Sequence, residues 1–223
     1  VRDGTVLFLS ASRYLVNLIE LHDSQALVGS VVIHPDAEPG LYARAAELAR
    51  AVLPALEHVD GVFHMEAFEQ PDGSLVFGEC GGRVGGGRVD HMVERMFGVD
   101  LHQQWVTAAL GLPADPVPKK PHNGSFGWVH LSAPPGRIRS VPERETILGR
   151  DGVLEVEVRA KPQDVIPQRR PDSRTRAARA LVEGRDAAEV RDRIAALQTW
   201  FHGAVEVESA DHAGNAAGET VGT

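Results

Sequence analysis

The sequence predicts an α+β protein, a mostly antiparallel sheet flanked by helices with a smaller β-rich C-terminal subdomain. Three observations predict it. Apolar residues recur at helical spacing over residues 40–57 and again from Asp186 onward. Short β-rich runs bounded by turn dipeptides lie between those stretches. Four prolines within residues 112–121 then separate a mixed N-terminal part from a strand-rich C-terminal part.

Taken in order, residues 5–10 are β-rich and follow an Asp3-Gly4 turn signal, and residues 26–33 form a second strand closed by Pro35. Leu41, Ala45, Leu48, Val52 and Leu56 give residues 40–57 an amphipathic helical stripe. Strands over 60–68 and 74–80 precede a glycine-rich segment, Gly81 to Gly87. Helical residues 89–97 follow, broken at Gly98, and a second helix spans 100–110 with Asp100 and Gln103 as its capping box. Beyond the proline-rich linker, short strands are expected at 127–131, 138–141 and 154–158, with a turn at Pro134-Pro135-Gly136. Asp186 opens the last helix with Glu189 as capping partner, and Val190, Ile194, Leu197 and Phe201 make its buried stripe. Residues 204–207 close as a strand. Residues 209–223 are small and polar without apolar period, so they are predicted to be unstructured and dispensable. The expected division is residues 1–111, linker 112–121, subdomain 122–208 and tail 209–223.

Composition narrows the function. A net charge of -8 argues against nucleic acid or a membrane surface as the main partner. The Arg-rich stretch from Arg137 to Arg193 is interleaved with acids and is expected to be a solvated, mixed-charge surface. One cysteine, Cys80, permits neither an internal disulfide nor a cysteine metal cluster. No apolar run is long enough to span a bilayer and the sequence contains no charged-then-apolar leader with a cleavage site, so the cytoplasm is the expected location. The opening at Val1, inside hairpin-like sequence and without an initiating Met, suggests that further sequence precedes it.

The chemistry concentrates in one hairpin. Residues 61–68 and 74–80 flank Asp72-Gly73, a two-residue turn signal that places Phe68 opposite Phe77 and Glu66 opposite Glu79. Directly opposed residues have Cβ atoms roughly 4.5–5.5 Å apart, where like charges repel. Two carboxylates so held favour a cation, and their hard oxygens suit Mg²⁺. The alternative is that both glutamates face solvent. Period two also sets His64 and Phe68 on the face of Glu66. Five glycines surround Arg83 at the end of the second strand and ahead of a helix. Glycine there allows close backbone approach to a ligand, and a guanidinium suits a carboxylate or phosphate. The segment fits neither a Walker loop nor the dinucleotide-binding glycine spacing, so a plain flexible loop is the competing reading.

These residues, Gly61 to Glu66, Asp72 to Gly86 and Met96 to Leu101, together resemble the metal-binding segment of ATP-grasp enzymes. They are most similar to the branch of L-amino-acid ligases, which resemble dipeptide synthetases. The resemblance implies the C-terminal half of an ATP-grasp domain and an enzyme that joins a carboxylate to an amine. ATP and Mg²⁺ would be its cofactors, an acyl phosphate its intermediate, and amino-acid-like carboxylate and amine molecules its substrates. Glu66 and Glu79 would hold Mg²⁺, with Phe68 and Phe77 on the nucleotide side. Arg83 would act on the acceptor carboxylate or the acyl phosphate, and His64, Gly86 and Gly87 would line the substrate side. Many ATP-grasp members carry Asn where this chain has Gly81, which leaves one metal contact in question. The family's nucleotide-cradling lysines lie upstream of the segment matched here. The chain alone is therefore expected to need an N-terminal ATP-grasp half as partner, and to be inactive without it. A homodimer is a further expectation. The competing functions are a bicarbonate-using enzyme similar to biotin carboxylase or carbamoyl-phosphate synthase, and a non-catalytic ATP-grasp remnant that serves as a binding scaffold.

Overall fold

A computed structural model describes residues 1–16, 27–114, 120–167 and 176–208. The tail 209–223 and linker residues 115–119 lie outside these, so the expectations placed on them do too. Ten strands and five helices occur in the described chain, and every strand pair is antiparallel.

The central sheet has five strands in the order β1 (Ser12–Tyr14), β2 (Gly29–Val32), β5 (Ser125–Leu131), β9 (Ala178–Gly184) and β7 (Val153–Val158). Its strands come from both sides of the proline-rich linker. Helix α5 (Ala187–Ala204) covers one face, burying Val190, Ile194, Leu197 and Phe201 as the stripe predicts. Asp186 caps it by accepting from the Glu189 amide at 2.9 Å, while the Glu189 carboxylate accepts from the Arg185 amide at 2.6 Å. Period two along β5 divides the cores. Val129 and Leu131 join the α5 core, whereas Phe126 and Trp128 pack with Met92, Val93, Met96 and Phe97 of α2 (Val89–Phe97) on the opposite face.

Helix α1 (Pro39–Ala55) buries Leu41, Ala49 and Leu53. The buried stripe is therefore rotated from the one expected, and Leu56 is outside the helix and exposed because the helix ends just after Pro54. Helix α3 (Leu101–Ala109) has its predicted cap, with Asp100 accepting from His102 and Gln103 amides at 2.9 Å each. Strands β6 (Gly136–Ser140), β8 (Val165–Ile166) and β10 (Glu206–Glu208) form a small second sheet, with helix α4 (Arg144–Leu148) nearby in sequence. Strands β3 (His64–Glu69) and β4 (Leu75–Gly81) stand apart as a two-stranded ribbon.

Two expectations are corrected. Residues 5–10 form no strand: Asp3 and Gly4 do make a positive-φ turn closed by Arg2 and Thr5, but the following run is irregular, and Phe8 packs edge-on to Phe97 at 5.2 Å. The Arg-rich stretch is not merely solvated surface. It contains β9, whose Ala178, Ala180, Leu181 and Val182 are fully buried.

Candidate functional site

The β3–β4 ribbon brings Glu66 opposite Glu79 by a different route from the one expected. Gly73 donates to the Gln70 carbonyl and Gln70 to the Ser74 carbonyl, both at 2.8 Å, so the loop has three residues, Pro71, Asp72 and Gly73. Proline at the first loop position sets its own φ for a type I turn, and Gly73 follows at φ 81. The register beside this turn is Glu69 with Leu75, Phe68 with Val76 and Ala67 with Phe77. It then shifts past Gly78, so that Glu66 pairs with Glu79 and His64 with Gly81. Gly78 is needed there, because an added Cβ would lie 3.0 Å from the Glu66 carbonyl oxygen. Phe68 therefore does not face Phe77. The two rings sit on opposite faces of the ribbon, since Phe77 pairs with the neighbour of Phe68.

Around Glu66 the side chains interlock. Its Oε1 accepts from the Tyr14 hydroxyl at 2.6 Å and lies 3.3 Å from His64 Nε2. Burial, and then Glu66 itself, raise the Tyr14 pKa, so its hydroxyl stays a proton donor. The charges of Glu79 and Arg83 also act on Tyr14, which locates all four groups in one neighbourhood. Arg83 donates from Nη1 to the Val84 carbonyl at 3.1 Å. No carboxylate pairs with it among the described residues. Gly85 lets His64 in, because a Cβ would stand 2.8 Å from its Nδ1.

These groups border a cleft of about 1170 Å³, lined among others by Tyr14, His64, Glu66, Phe68, Arg83, Gly86 and Gly87. Phe77 and Glu79 are not part of that lining. Gly87 is also a packing residue: at φ 73, an added Cβ would lie 2.3 Å from Trp128 Cε2. Polar bonds hold the ribbon to the body. Arg13 bridges Glu38 at 2.9 Å and Glu69 at 2.6 Å, and Arg44 adds a bond to Glu69 at 3.0 Å. Tyr14, Arg13, Trp128 and His130 were not marked as site residues by sequence. The only signal available for the last two was their placement two apart on one strand.

On the cation question, among the described residues no three His, Cys, Asp or Glu side chains cluster as a self-sufficient metal cage. The residues present nevertheless fit Mg²⁺, which takes one or two protein carboxylates and completes its shell with water and phosphate oxygens.

Helix α2 is anchored to edge strand β7 by charge. Glu155 bonds His91 Nδ1 at 2.9 Å, Arg95 at 3.1 Å and Arg88 at 3.4 Å. Burial pushes the Glu155 pKa up, but His91, Arg95 and Arg88 outweigh it and the net shift is downward. A carboxylate with a depressed folded pKa contributes stability above its unfolded value of about 4.3 and loses it as pH falls below. Glu155→Gln should lower the Tm by a few degrees at pH 7 and by much less near pH 3, read by circular dichroism melts. An equal loss at both pH values would count against this anchor.

The chain is similar to known proteins in sequence and in fold. Residues 129–201 match the family model described as L-amino acid ligase C-terminal domain 2. The chain is 30% identical over 172 residues to an L-arginine-specific L-amino acid ligase of Bacillus subtilis, covering 77% of this chain and 40% of that protein. Its fold is similar to the L-amino acid ligase of Bacillus licheniformis, with TM-score 0.72 and 17% identity over 93% of this chain and 52% of that one. Phosphoribosylglycinamide synthetase of Anaerococcus prevotii gives TM-score 0.71 at 13% identity, covering 93% of this chain and 51% of that one. The chain thus spans about half the length of the solved relatives and less of the curated one. No described helix is long and apolar enough to cross a membrane.

Proposed function

We propose, for a chain that has the fold of the C-terminal half of ATP-grasp ligases and carries an L-amino acid ligase C-terminal domain, that it supplies the metal- and acceptor-binding part of an ATP-dependent carboxylate–amine ligase. The observation that carries this reading is the cross-strand pairing of Glu66 with Glu79, in the neighbourhood of Arg83 and Tyr14. Glu66 and Glu79 would hold Mg²⁺, which when bound neutralises the phosphate charge of ATP. Tyr14 keeps Glu66 in place by donating to one oxygen and leaves the other oxygen to the ion. Arg83 offers a planar fork of donors to the carboxylate of the incoming amino acid or to an acyl phosphate. His64 and the glycines 85–87 leave room for that substrate against the cleft wall. The substrates proposed are an amino-acid-like carboxylate and an amino-acid-like amine, joined through the acyl phosphate, with the N-terminal ATP-grasp half as partner and the cytoplasm as location.

The test is a titration of Mg²⁺-ATP into the full-length protein by calorimetry. Replacing both Glu66 and Glu79 by Gln should abolish the Mg²⁺ dependence of nucleotide binding. If the double variant kept that dependence, the carboxylate pair would not be the metal site.

A further inference from the structure

The far wall of the cleft is built by β5. On the face away from α5 this strand presents Phe126, Trp128 and His130 in turn. Phe126 belongs to the core, whereas Trp128 and His130 also border the cleft, together with Leu15, Val28, Gly87 and Arg176. The two rings meet edge to face, with centroids 5.1 Å apart at 83°. Gly87 packs against the Trp128 indole, and its lack of a side chain lets the glycine loop lie close to this wall.

Charge around His130 is mainly positive. Its Nδ1 is buried and has no hydrogen-bond partner among the described residues. Burial, and then Arg176, Arg159 and Arg179, push its pKa down to about 4, so the ring is neutral at physiological pH. Glu157 opposes two of these arginines, Arg159 and Arg179, which both bond it. In such a field a buried ring nitrogen is cheaper as a bare lone pair than as an N–H. The proton then belongs on Nε2, an assignment that follows from the surrounding charges. His130 is thus a neutral donor in a positive field, beside a flat apolar ring.

We infer that the Trp128–His130 end of the cleft is a side-chain pocket for an uncharged or acidic amino-acid substrate bearing a hydrogen-bond acceptor, and that it rejects cationic side chains. The inference rests on reading the cleft as the substrate site. Trp128 gives the methylene groups of such a side chain an apolar surface, and His130 Nε2 donates to its terminal oxygen. A lysine or arginine side chain would meet like charge and a donor where it needs an acceptor.

Trp105 and Trp200 are the other tryptophans of these 223 residues, so full-length protein with both replaced by Phe, and any tryptophan of the N-terminal half replaced likewise, reports Trp128 fluorescence alone. Titrations with L-glutamine, L-norleucine and L-arginine should rank glutamine at least about tenfold tighter than arginine. His130→Phe keeps an aromatic ring and removes the donor, so it should weaken glutamine by about tenfold and leave norleucine unchanged. Arginine binding as tightly as glutamine, or glutamine unaffected by His130→Phe, overturns the pocket. If that variant does not fold, ¹⁵N spectra of the wild-type imidazole decide. An Nε2–H tautomer whose shift moves with glutamine supports the pocket, and an Nδ1–H tautomer or an unmoved shift overturns it. Mg²⁺-ATP binding to the full-length protein separates the two readings. Glutamine failing while the Glu66 and Glu79 dependence holds removes only the pocket, and the converse removes only the Glu66–Glu79 metal site.

Discussion

Arg83→Lys in the full-length protein should reduce ligation by at least about a hundredfold, close to 2.7 kcal/mol of transition-state stabilisation. The charge is retained, so Mg²⁺-ATP binding should survive. What lysine lacks is the planar pair of donors that a carboxylate or acyl phosphate accepts together. The local structure supports a role beyond balancing charge. Arg83 pairs with no carboxylate among the described residues, and its Nη1 is tied only to the neighbouring Val84 carbonyl. Glu66 instead draws its partners from Tyr14 and His64. A charge-balancing arginine would tolerate lysine, so ligation within a few-fold of wild type would assign Arg83 that lesser role. The comparison requires kcat and KM for both substrates, because the loss should fall on the acceptor.

Phe201→Ala should destabilise the fold by about 3–5 kcal/mol, a large share of the 5–15 kcal/mol typical of a whole domain. Phe201 is fully buried where the last turns of α5 meet the sheet. The core cluster it belongs to includes Leu131 of β5 and Ile138 of β6, which lie in different sheets, so the cavity cannot close by moving a single loop. Urea unfolding should give a lower midpoint with an unchanged slope. A loss below about 1 kcal/mol would mean that the core relaxes around the missing ring.

Much of this architecture was legible in the residues. Helix α5 was readable because its buried stripe and its Asp186 cap agree, so local and tertiary preferences point the same way, and α2 and α3 were readable because Gly98 breaks the helical run and Asp100 caps the second helix. The Glu66–Glu79 pairing was legible from the turn, though Pro71 lengthened that turn and Gly78 restored the register. Strand β9 was missed because it is buried on both faces and so shows no alternation, and because flanking arginines disguise it as surface. The run at residues 5–10 misled in the opposite direction: it is apolar enough for a strand, yet its Phe8 is used against Phe97 and no strand partner is beside it. Tyr14 sits in a strand of three residues, too short to carry a pattern. Its approach to Glu66, and the joint use of Trp128 and His130, depend on which distant strands lie side by side.

The three-residue turn and the skipped Gly78 amount to two phase errors of opposite sign, and they work like the two scales of a vernier. If a substitution at Pro71 let residue 71 pair with Ser74, the turn would shorten to two residues, β4 would slide by one and Cys80 would stand opposite Glu66, turning Glu79 to the far side of the ribbon. Closing the skip at Gly78 in the same chain would bring the scales back into coincidence. The closing pair at the tip and the skip at Gly78 are therefore linked, and the pairing at one end of this ribbon can change only when the other end changes in step.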